Sequence, residues 1–298
     1  MKKLLFIYNA KSGTAGISRY LAEIIDTFIK SGYYVEAYQT QCALDAKKQI
    51  IERANQFDLV VCSGGDGTLN EVASGLMQLE ERPVIGYIPA GSTNDFASSI
   101  GLKKGMVKNA QIAMNGRKYK VDVGSFNEDR NFVYVVGFGL FSEVSYSTPQ
   151  KLKNAIGHQA YVVEAIKSLP SIKSYRIRFE YDGNIIEDDF IYGMVSNSDS
   201  VGGFKGLISG DVILDDGLYE VTLVKKPKSL SELTNIAQAL LSKNKKSEYI
   251  YSFRTDRIKA YSEEEVVWTV DGECGGAHRE VTIVNNPNAM TIIGAKKK

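Results

Sequence analysis

The sequence predicts two units. Residues 1–123 read as an α/β unit on a parallel sheet, and residues 124–298 as a β-rich unit of two packed antiparallel layers. Three observations predict this. Up to Asp122, short apolar runs alternate with stretches whose apolar residues recur at helical spacing, the pattern of a parallel sheet covered by helices. Beyond Asp122 nearly every apolar run is strand-like, as in two stacked antiparallel layers. Finally, three of the early strands each run into a polar turn containing glycine. In open parallel sheets, ligands gather at those carboxyl ends.

The elements follow in order. Residues 4–8 form a first strand, ended by Asn9; the apolar run is too short for a signal peptide. A helix follows with Leu21, Ile24, Ile25, Phe28 and Ile29 on one face. Residues 34–40 alternate and read as a strand, and residues 44–54 as a helix. The run over 58–63 is β-branched and apolar, a buried parallel strand. It enters a helix with Leu69, Val72, Ala73, Leu76 and Met77 on one face. Residues 84–88 form a further strand, closed by Pro89. In the second unit, residues 132–136, 175–181, 190–195, 218–224, 250–261, 266–270, 281–284 and 290–293 read as strands. Asp182-Gly183-Asn184 is a hairpin turn signal. Two helices interrupt them, one over 160–169 and one starting at the capping box Ser229-Leu230-Ser231-Glu232, with Leu230, Leu233, Ala237, Leu240 and Leu241 inward.

The stretch Gly64-Gly65-Asp66-Gly67-Thr68-Leu69-Asn70-Glu71 carries the most chemistry. Its glycines are expected to allow positive φ and close approach of a ligand to the backbone. The helix start presents unpaired N–H groups and a positive dipole end, which favour an anion. Asp66 inside such a site calls for a metal ion, a proton or an acceptor hydroxyl. The run is neither a Walker A loop nor a Gly-x-Gly-x-x-Gly fingerprint. Ser12, Gly13 and Thr14 in the first turn, and Ala90-Gly91-Ser92-Thr93-Asn94-Asp95 in the third, fall at the same end of the sheet.

Composition bounds the rest. The chain has 298 residues, 44% hydrophobic and 24% charged, with a formal net charge of +1. That balance gives no case for a nucleic-acid partner. Cys42, Cys62 and Cys274 lack metal spacing and read as a reduced, cytosolic set. No apolar run approaches the length of a spanning helix, so membrane contact is expected to be peripheral. The lysines at 225, 226 and 228 and at 243, 245 and 246 are candidates for attraction to anionic headgroups, and Lys296-Lys297-Lys298 reads as a frayed tail. His158 and His278 sit in no motif.

Four motifs in order now fall into a set: the glycine loop, Pro89-Ala90-Gly91-Ser92-Thr93-Asn94-Asp95, Leu214-Asp215-Asp216-Gly217-Leu218 and Val270-Asp271-Gly272-Glu273. Their order and spacing resemble the bacterial soluble diacylglycerol kinase family along nearly the whole chain, closest to the Gram-positive members. The glycine loop is also similar to that of NAD kinases. The turn Val136-Gly137-Phe138-Gly139 and the segment containing Lys151, Gly157, Ala160 and Tyr161 fit too.

The resemblance implies an ATP- and Mg²⁺-dependent lipid kinase that makes phosphatidate from diacylglycerol in a cleft between the units. It implies a cytoplasmic protein, peripheral at the inner face of the membrane. Other acceptors, namely phosphatidylglycerol, a sphingoid base or NAD, keep the same fold, and a non-catalytic binding protein is the remaining alternative. Phosphoryl transfer is mostly positioning and charge neutralisation, with a base for the acceptor proton. The nucleotide contacts implied are Asn9, Ser12, Gly13, Thr40, Gly64, Gly65, Gly67, Thr68, Glu71, Ser92 and Asn94. Asp66 and Asp95 are assigned to metal–phosphate or acceptor positioning. Glu273 is the implied general base, with Asp66 as its rival. A separate Mg²⁺ site is implied at Asp216 with the carbonyls of Ile213 and Leu218, linked through water to Asp122.

An acceptor groove is expected from Phe138 to Phe141, from Val201 to Phe204 and from the helix of Tyr161. Three departures stand out. Ala10 replaces the usual Pro, Ser92 replaces Thr, and the chain ends soon after Ile293, where relatives carry a tail packed on the first unit. Edge strands of the β-rich unit are compatible with a homodimer.

Overall fold

The computed structural model describes residues 1–13, 16–139, 173–198, 200–201, 204–205, 212–241 and 247–295. Thr14, Leu140, Phe141, Gly202 and Gly203, the segment from Lys151 to Tyr161 with His158, the helix over 160–169, the lysines at 243, 245 and 246, and Lys296 to Lys298 lie outside the described residues.

The first unit is a parallel sheet in the order β2 (Tyr33–Gln39), β1 (Lys2–Tyr8), β3 (Leu59–Gly64), β4 (Ile85–Pro89). Strand side chains alternate between its faces, and both faces are covered. Leu4 and Phe6 of β1 join Ile17, Ile24 and Phe28 of α1 (Ile17–Lys30) and Ala110 and Ala113 of α5 (Met106–Asn115). Leu5 and Ile7 join Ala46 and Ile50 of α2 (Asp45–Arg53) and Leu69, Val72, Ala73 and Leu76 of α3 (Asp66–Leu76). Burying each large side chain contributes about 1.5–3 kcal/mol. That burial sets which face of each helix turns inward. A short helix, α4 (Asp95–Ser99), follows β4.

The second unit is built on a closed circuit of antiparallel pairs. β7 (Val135–Gly139) pairs with β9 (Asn184–Ser196), β9 with β8 (Tyr175–Tyr181), β8 with β14 (Arg257–Val270), and β14 with β7 again. β12 (Tyr219–Lys225) and β13 (Ile250–Thr255) extend it beyond β9. The enclosed core holds Val136, Phe138, Phe179, Phe190, Val221 and Trp268. The rings of Phe138 and Trp268 lie 4.9 Å apart. Phe138 is therefore core, not the wall of an acceptor groove. Asp182 (φ 46) and Gly183 (φ 76) make the β8–β9 hairpin turn, the geometry of a type I′ turn. A small hairpin of β10 (Ser200–Val201) and β11 (Phe204–Lys205) stands apart. In α6 (Leu230–Leu241), Glu232 N donates to Ser229 Oγ (3.1 Å) and Lys228 N to Glu232 Oε2 (2.6 Å).

Three strand readings change. The 250–261 run divides at Asp256, leaving β13 and β14. The 132–136 run divides between β6 (Arg130–Phe132) and β7, because the amides of Val133 and Tyr134 turn to a carboxylate. The last two runs merge into one strand, β15 (Glu273–Gly294), irregular between Asn286 and Met290 where Pro287 has no N–H to give.

β15 also binds the units together. It pairs antiparallel with β14 and with β5 (Arg117–Phe126), and then parallel with β4 at Ile292–Ile85 and Ile293–Gly86. Among the described residues a single thirteen-stranded sheet thus runs through both units. Through Ile292 and Ile293, β15 itself packs back on the first unit. No described helix is long and apolar enough to cross a membrane.

Candidate active site

The three polar turns meet at the carboxyl ends of β1, β3 and β4. β3 enters α3 through its N-cap Gly65 (φ −84, ψ −172), so Asp66, Gly67 and Thr68 form the first helical turn. None of Gly64, Gly65 and Gly67 has a positive φ, contrary to the expectation. Gly64 and Gly67 lie close to other side chains instead, while a Cβ on Gly65 would meet Gly91 Cα at 3.4 Å. A Cβ on Gly64 would lie 2.3 Å from Thr68 Oγ1, and one on Gly67 2.7 Å from Glu273 Oε1. Gly13 does need its left-handed conformation (φ 58), and a Cβ there would meet Ala90 O at 2.3 Å.

Polar contacts lock the turns to one another. Gly65 N donates to Ser12 Oγ (3.2 Å), and Asn9 N to Ser63 O (2.9 Å). Lys11 N donates to Asn9 Oδ1 (3.0 Å) and Ser12 N to Asn9 O (3.2 Å). This side-chain turn holds the first loop without a proline at Ala10. Thr40 N donates to Tyr8 O (3.0 Å), placing Thr40 beside the same turn. Asn94 (φ 52) accepts from Gly91 N (2.8 Å) and donates to Gly91 O (2.7 Å), while Ser92 is exposed. Glu71 points elsewhere. Its carboxylate accepts from the N–H groups of Leu44 (2.9 Å) and Ala46 (3.1 Å) at the start of α2.

Asp66 bridges two helices, since Asp95 N (3.2 Å) and Phe96 N (3.4 Å) of α4 donate to it. Burial above all, and next the charge of Asp95, pushes its carboxyl up to about 6. Asp95 itself is buried. A raised carboxyl means that the fold holds a proton which the unfolded chain releases near pH 4. Stability is therefore lost as pH rises from about 4 through 6. Asp66→Asn removes that cost and one weak hydrogen bond. It is expected to stabilise the ligand-free protein at pH 7.5 by on the order of 1–2 kcal/mol, with the gap closing toward pH 4. Thermal denaturation at both values checks this, and a gap independent of pH would contradict it.

Asp271 and Glu273 come from the hairpin between β14 and β15, at Asp271 (φ 48) and Gly272 (φ 79). Asp271 is buried and accepts four hydrogen bonds. They come from the amides of Val133 (2.7 Å), Tyr134 (3.0 Å) and Val135 (3.0 Å), and from Asn70 Nδ2 (2.7 Å). Asn70 Nδ2 also donates to Asn131 O (2.8 Å). The glycine-loop helix is thus pinned to the hairpin that carries Glu273. Burial first pushes Asp271 up to about 6. Burial, joined by the charges of Asp66, Asp271 and Asp95, pushes the phenol of Tyr134 well above its usual range. Sequence reading assigned no role to Asp271, Asn70 or Tyr134. The Asp-Gly hairpin signal was present, but the partners of a carboxylate are settled only by tertiary contact.

The Asp216 loop is a second cluster. Asp122 is buried, and it accepts from Gly217 N (2.7 Å), Asn285 Nδ2 (3.2 Å) and Asn288 N (2.7 Å). Asp122 N donates to Leu214 O (2.8 Å), so β5 holds the loop at both ends. Asp216 accepts from Leu218 N (3.1 Å) and is ion-paired with Arg254, which also reaches Glu220 at 3.3 Å. Ile213 is exposed. The guanidinium already neutralises Asp216. A cation held by Asp216 and the carbonyls of Ile213 and Leu218 would have to displace that guanidinium. Added Mg²⁺ is accordingly expected to leave the wild-type melting temperature unchanged, whereas Arg254→Gln gains a Mg²⁺-dependent rise. Equal shifts in both proteins would count against this reading.

Comparison with known proteins agrees with this layout. The diacylglycerol kinase catalytic domain matches residues 3–126. The YegS C-terminal NAD kinase beta sandwich-like domain matches residues 135–294. The chain is 35% identical over 279 residues to the diacylglycerol kinase of Bacillus subtilis (strain 168), covering 93% of this chain and 91% of that protein. It is 35% identical over 280 residues to the diacylglycerol kinase of Staphylococcus carnosus (strain TM300), covering 92% and 90%. A crystal structure of a diacylglycerol kinase from Bacillus anthracis str. Sterne shares the fold, with TM-score 0.78, 24% identity and coverage of 98% and 97%. A second structure from that organism aligns with TM-score 0.82 at 27% identity, covering 98% and 95%. Motifs, fold and relatives agree, and the chain belongs to the diacylglycerol kinase family of lipid kinases.

Proposed function

We propose that this protein transfers the γ-phosphoryl group of ATP to the free hydroxyl of diacylglycerol, giving phosphatidate, with Glu273 as general base. One observation carries the assignment. Glu273 Oε1 reaches to within 2.7 Å of where a Cβ on Gly67 would stand, so a carboxylate of one unit overhangs the anion-binding helix start of the other. A base so placed can take the acceptor proton as the hydroxyl attacks a phosphate held on the N–H groups of α3. Asp66 is less suited, since both of its oxygens accept amides of α4. Ser12, Thr68 and the backbone of Gly64 to Gly67 cradle the phosphates. Thr40 and Asn94 shape the walls beside them.

Neither Asp66 nor Asp271 is ion-paired to a described residue. That concentration of buried negative charge suits a divalent cation brought in with the nucleotide. Asp66 and Asp95 would hold it, and Mg²⁺ would neutralise the phosphate oxygens there.

The test is a transfer assay on purified protein with Mg²⁺ and γ-labelled ATP. Diacylglycerol in mixed micelles, phosphatidylglycerol, sphingosine and NAD are offered in parallel. Label in phosphatidate is expected. Label confined to another acceptor, or in none, overturns the assignment.

A further inference from the structure

Tyr134 is a buried tyrosine whose hydroxyl the fold leaves unused. The residue is 5% exposed and shares a core cluster with Tyr87 and Phe96. Its backbone is held from both sides. Tyr134 N donates to Asp271 Oδ1 (3.0 Å), and Asn197 N donates to Tyr134 O (2.9 Å). Its phenol makes no hydrogen bond to a described residue. A buried tyrosine hydroxyl ordinarily finds a partner. Those of Tyr87, Tyr119 and Tyr192 do, on Gly64 O (3.2 Å), Ala295 O (2.6 Å) and Met194 Sδ (3.2 Å). Tyr219 OH lacks one as well, but it is sealed in the core, where its ring packs against that of Phe132.

The hydroxyl of Tyr134 is placed differently. A Cβ on Gly272 would meet Tyr134 OH at 3.5 Å and, its chain neighbours aside, no other atom within 4 Å. A Cβ on Gly67 would likewise meet only the carboxylate of Glu273. Two polar groups of the second unit thus border open room at the hairpin tip: Glu273 itself, and this hydroxyl beside the residue before it. Burial first, and then the charges of Asp66, Asp271 and Asp95, keep the phenol proton in place. Tyr134 is therefore a neutral, fixed donor next to the glycine loop.

We propose that Tyr134 is a further catalytic residue, whose O–H donates a hydrogen bond to an oxygen of the γ-phosphoryl group as that group passes from ATP to the acceptor. The proposal rests on the lipid-kinase reading. In that step the bond from phosphorus to the ADP oxygen breaks and the bond from phosphorus to the acceptor oxygen forms. The acceptor proton goes to Glu273, and Tyr134 keeps its own. Charge in the transferring group is spread over its equatorial oxygens. A donor already fixed beside them stabilises that charge without reorganising.

Tyr134→Phe keeps the ring and removes only the hydroxyl. Turnover is expected to fall about 10²-fold, with ADP affinity within about threefold of wild type. The melting temperature should not fall, because no hydrogen bond of the folded protein is lost. The ratio of the two rates should stay constant between about pH 6 and 9, where the phenol does not titrate. Replacing Tyr134 by 3-fluorotyrosine, which retains the O–H, should keep turnover within about threefold of wild type.

ADP with aluminium fluoride mimics the transferring phosphoryl group and needs no acceptor. Its affinity should drop about 10²-fold in Tyr134→Phe. That drop, in a protein whose wild type phosphorylates no acceptor, supports the donor and removes the lipid-kinase reading. Equal affinity of both proteins for the mimic overturns the donor, and leaves the kinase standing where wild type makes phosphatidate. A lowered melting temperature, or a parallel loss of ADP affinity, makes the hydroxyl structural and overturns the proposal as well.

Discussion

Glu273→Gln is expected to lower turnover by about 10²–10⁴-fold while the affinity for ATP stays within about threefold of wild type. The amide keeps the size and reach of the side chain above Gly67 but cannot accept a proton. The phosphate cradle on α3 lies in the other unit and makes no hydrogen bond to Glu273 among the described residues, so nucleotide binding has no reason to fail. Single-turnover transfer with labelled ATP measures the first quantity, and equilibrium nucleotide binding the second. Near-wild-type turnover would move the base to Asp66, whose carboxyl at about 6 is also poised to take a proton. A parallel loss of ATP affinity would instead mean that Glu273 holds the nucleotide.

Asp271→Ala carries the largest expected cost in stability. It leaves the amides of Val133, Tyr134 and Val135 and the side chain of Asn70 without their common acceptor. A buried donor without a partner costs about 1–3 kcal/mol. Backbone relaxation and water entry recover part of four such losses, so on the order of 3–5 kcal/mol is expected. In a chain of this size that lowers the melting temperature by roughly 10 °C. Turnover should fall as well, because the Asp271–Gly272 turn aims Glu273. Asn70→Ala removes one bond of the four and separates the two effects. It should cost about 1–2 kcal/mol, and lower kcat more than it raises KM for ATP. An Asp271→Ala protein that melts with wild type would show that the buried carboxylate is not what joins the hairpin to α3.

Much of this protein is written in local sequence. Apolar spacing, β-branched runs and the Gly-Gly-Asp-Gly turn place the parallel sheet and its loops, because helix and strand periods are properties of neighbouring residues. The Asp182-Gly183 hairpin and the start of α6 at Ser229 follow from backbone chemistry within four residues. Motif order along the chain was enough to reach the family.

What sequence left open depends on partners far apart in the chain. Gly64 and Gly67 serve proximity and not positive φ, since the atoms they make room for include Glu273, some two hundred residues away. Glu71 caps α2, a contact that motif membership does not reveal. Arg254 meets Asp216 because β13 happens to lie beside β12. The run at 132–136 had the composition of one strand, and it breaks because Asp271, from another hairpin, takes its amides. β15 reads locally as two short strands, yet one strand completes both units. Local propensity fixes what each segment can be. The burial of charge and the pairing of distant strands, which no local pattern encodes, determine which carboxylates stand together beside the glycine loop.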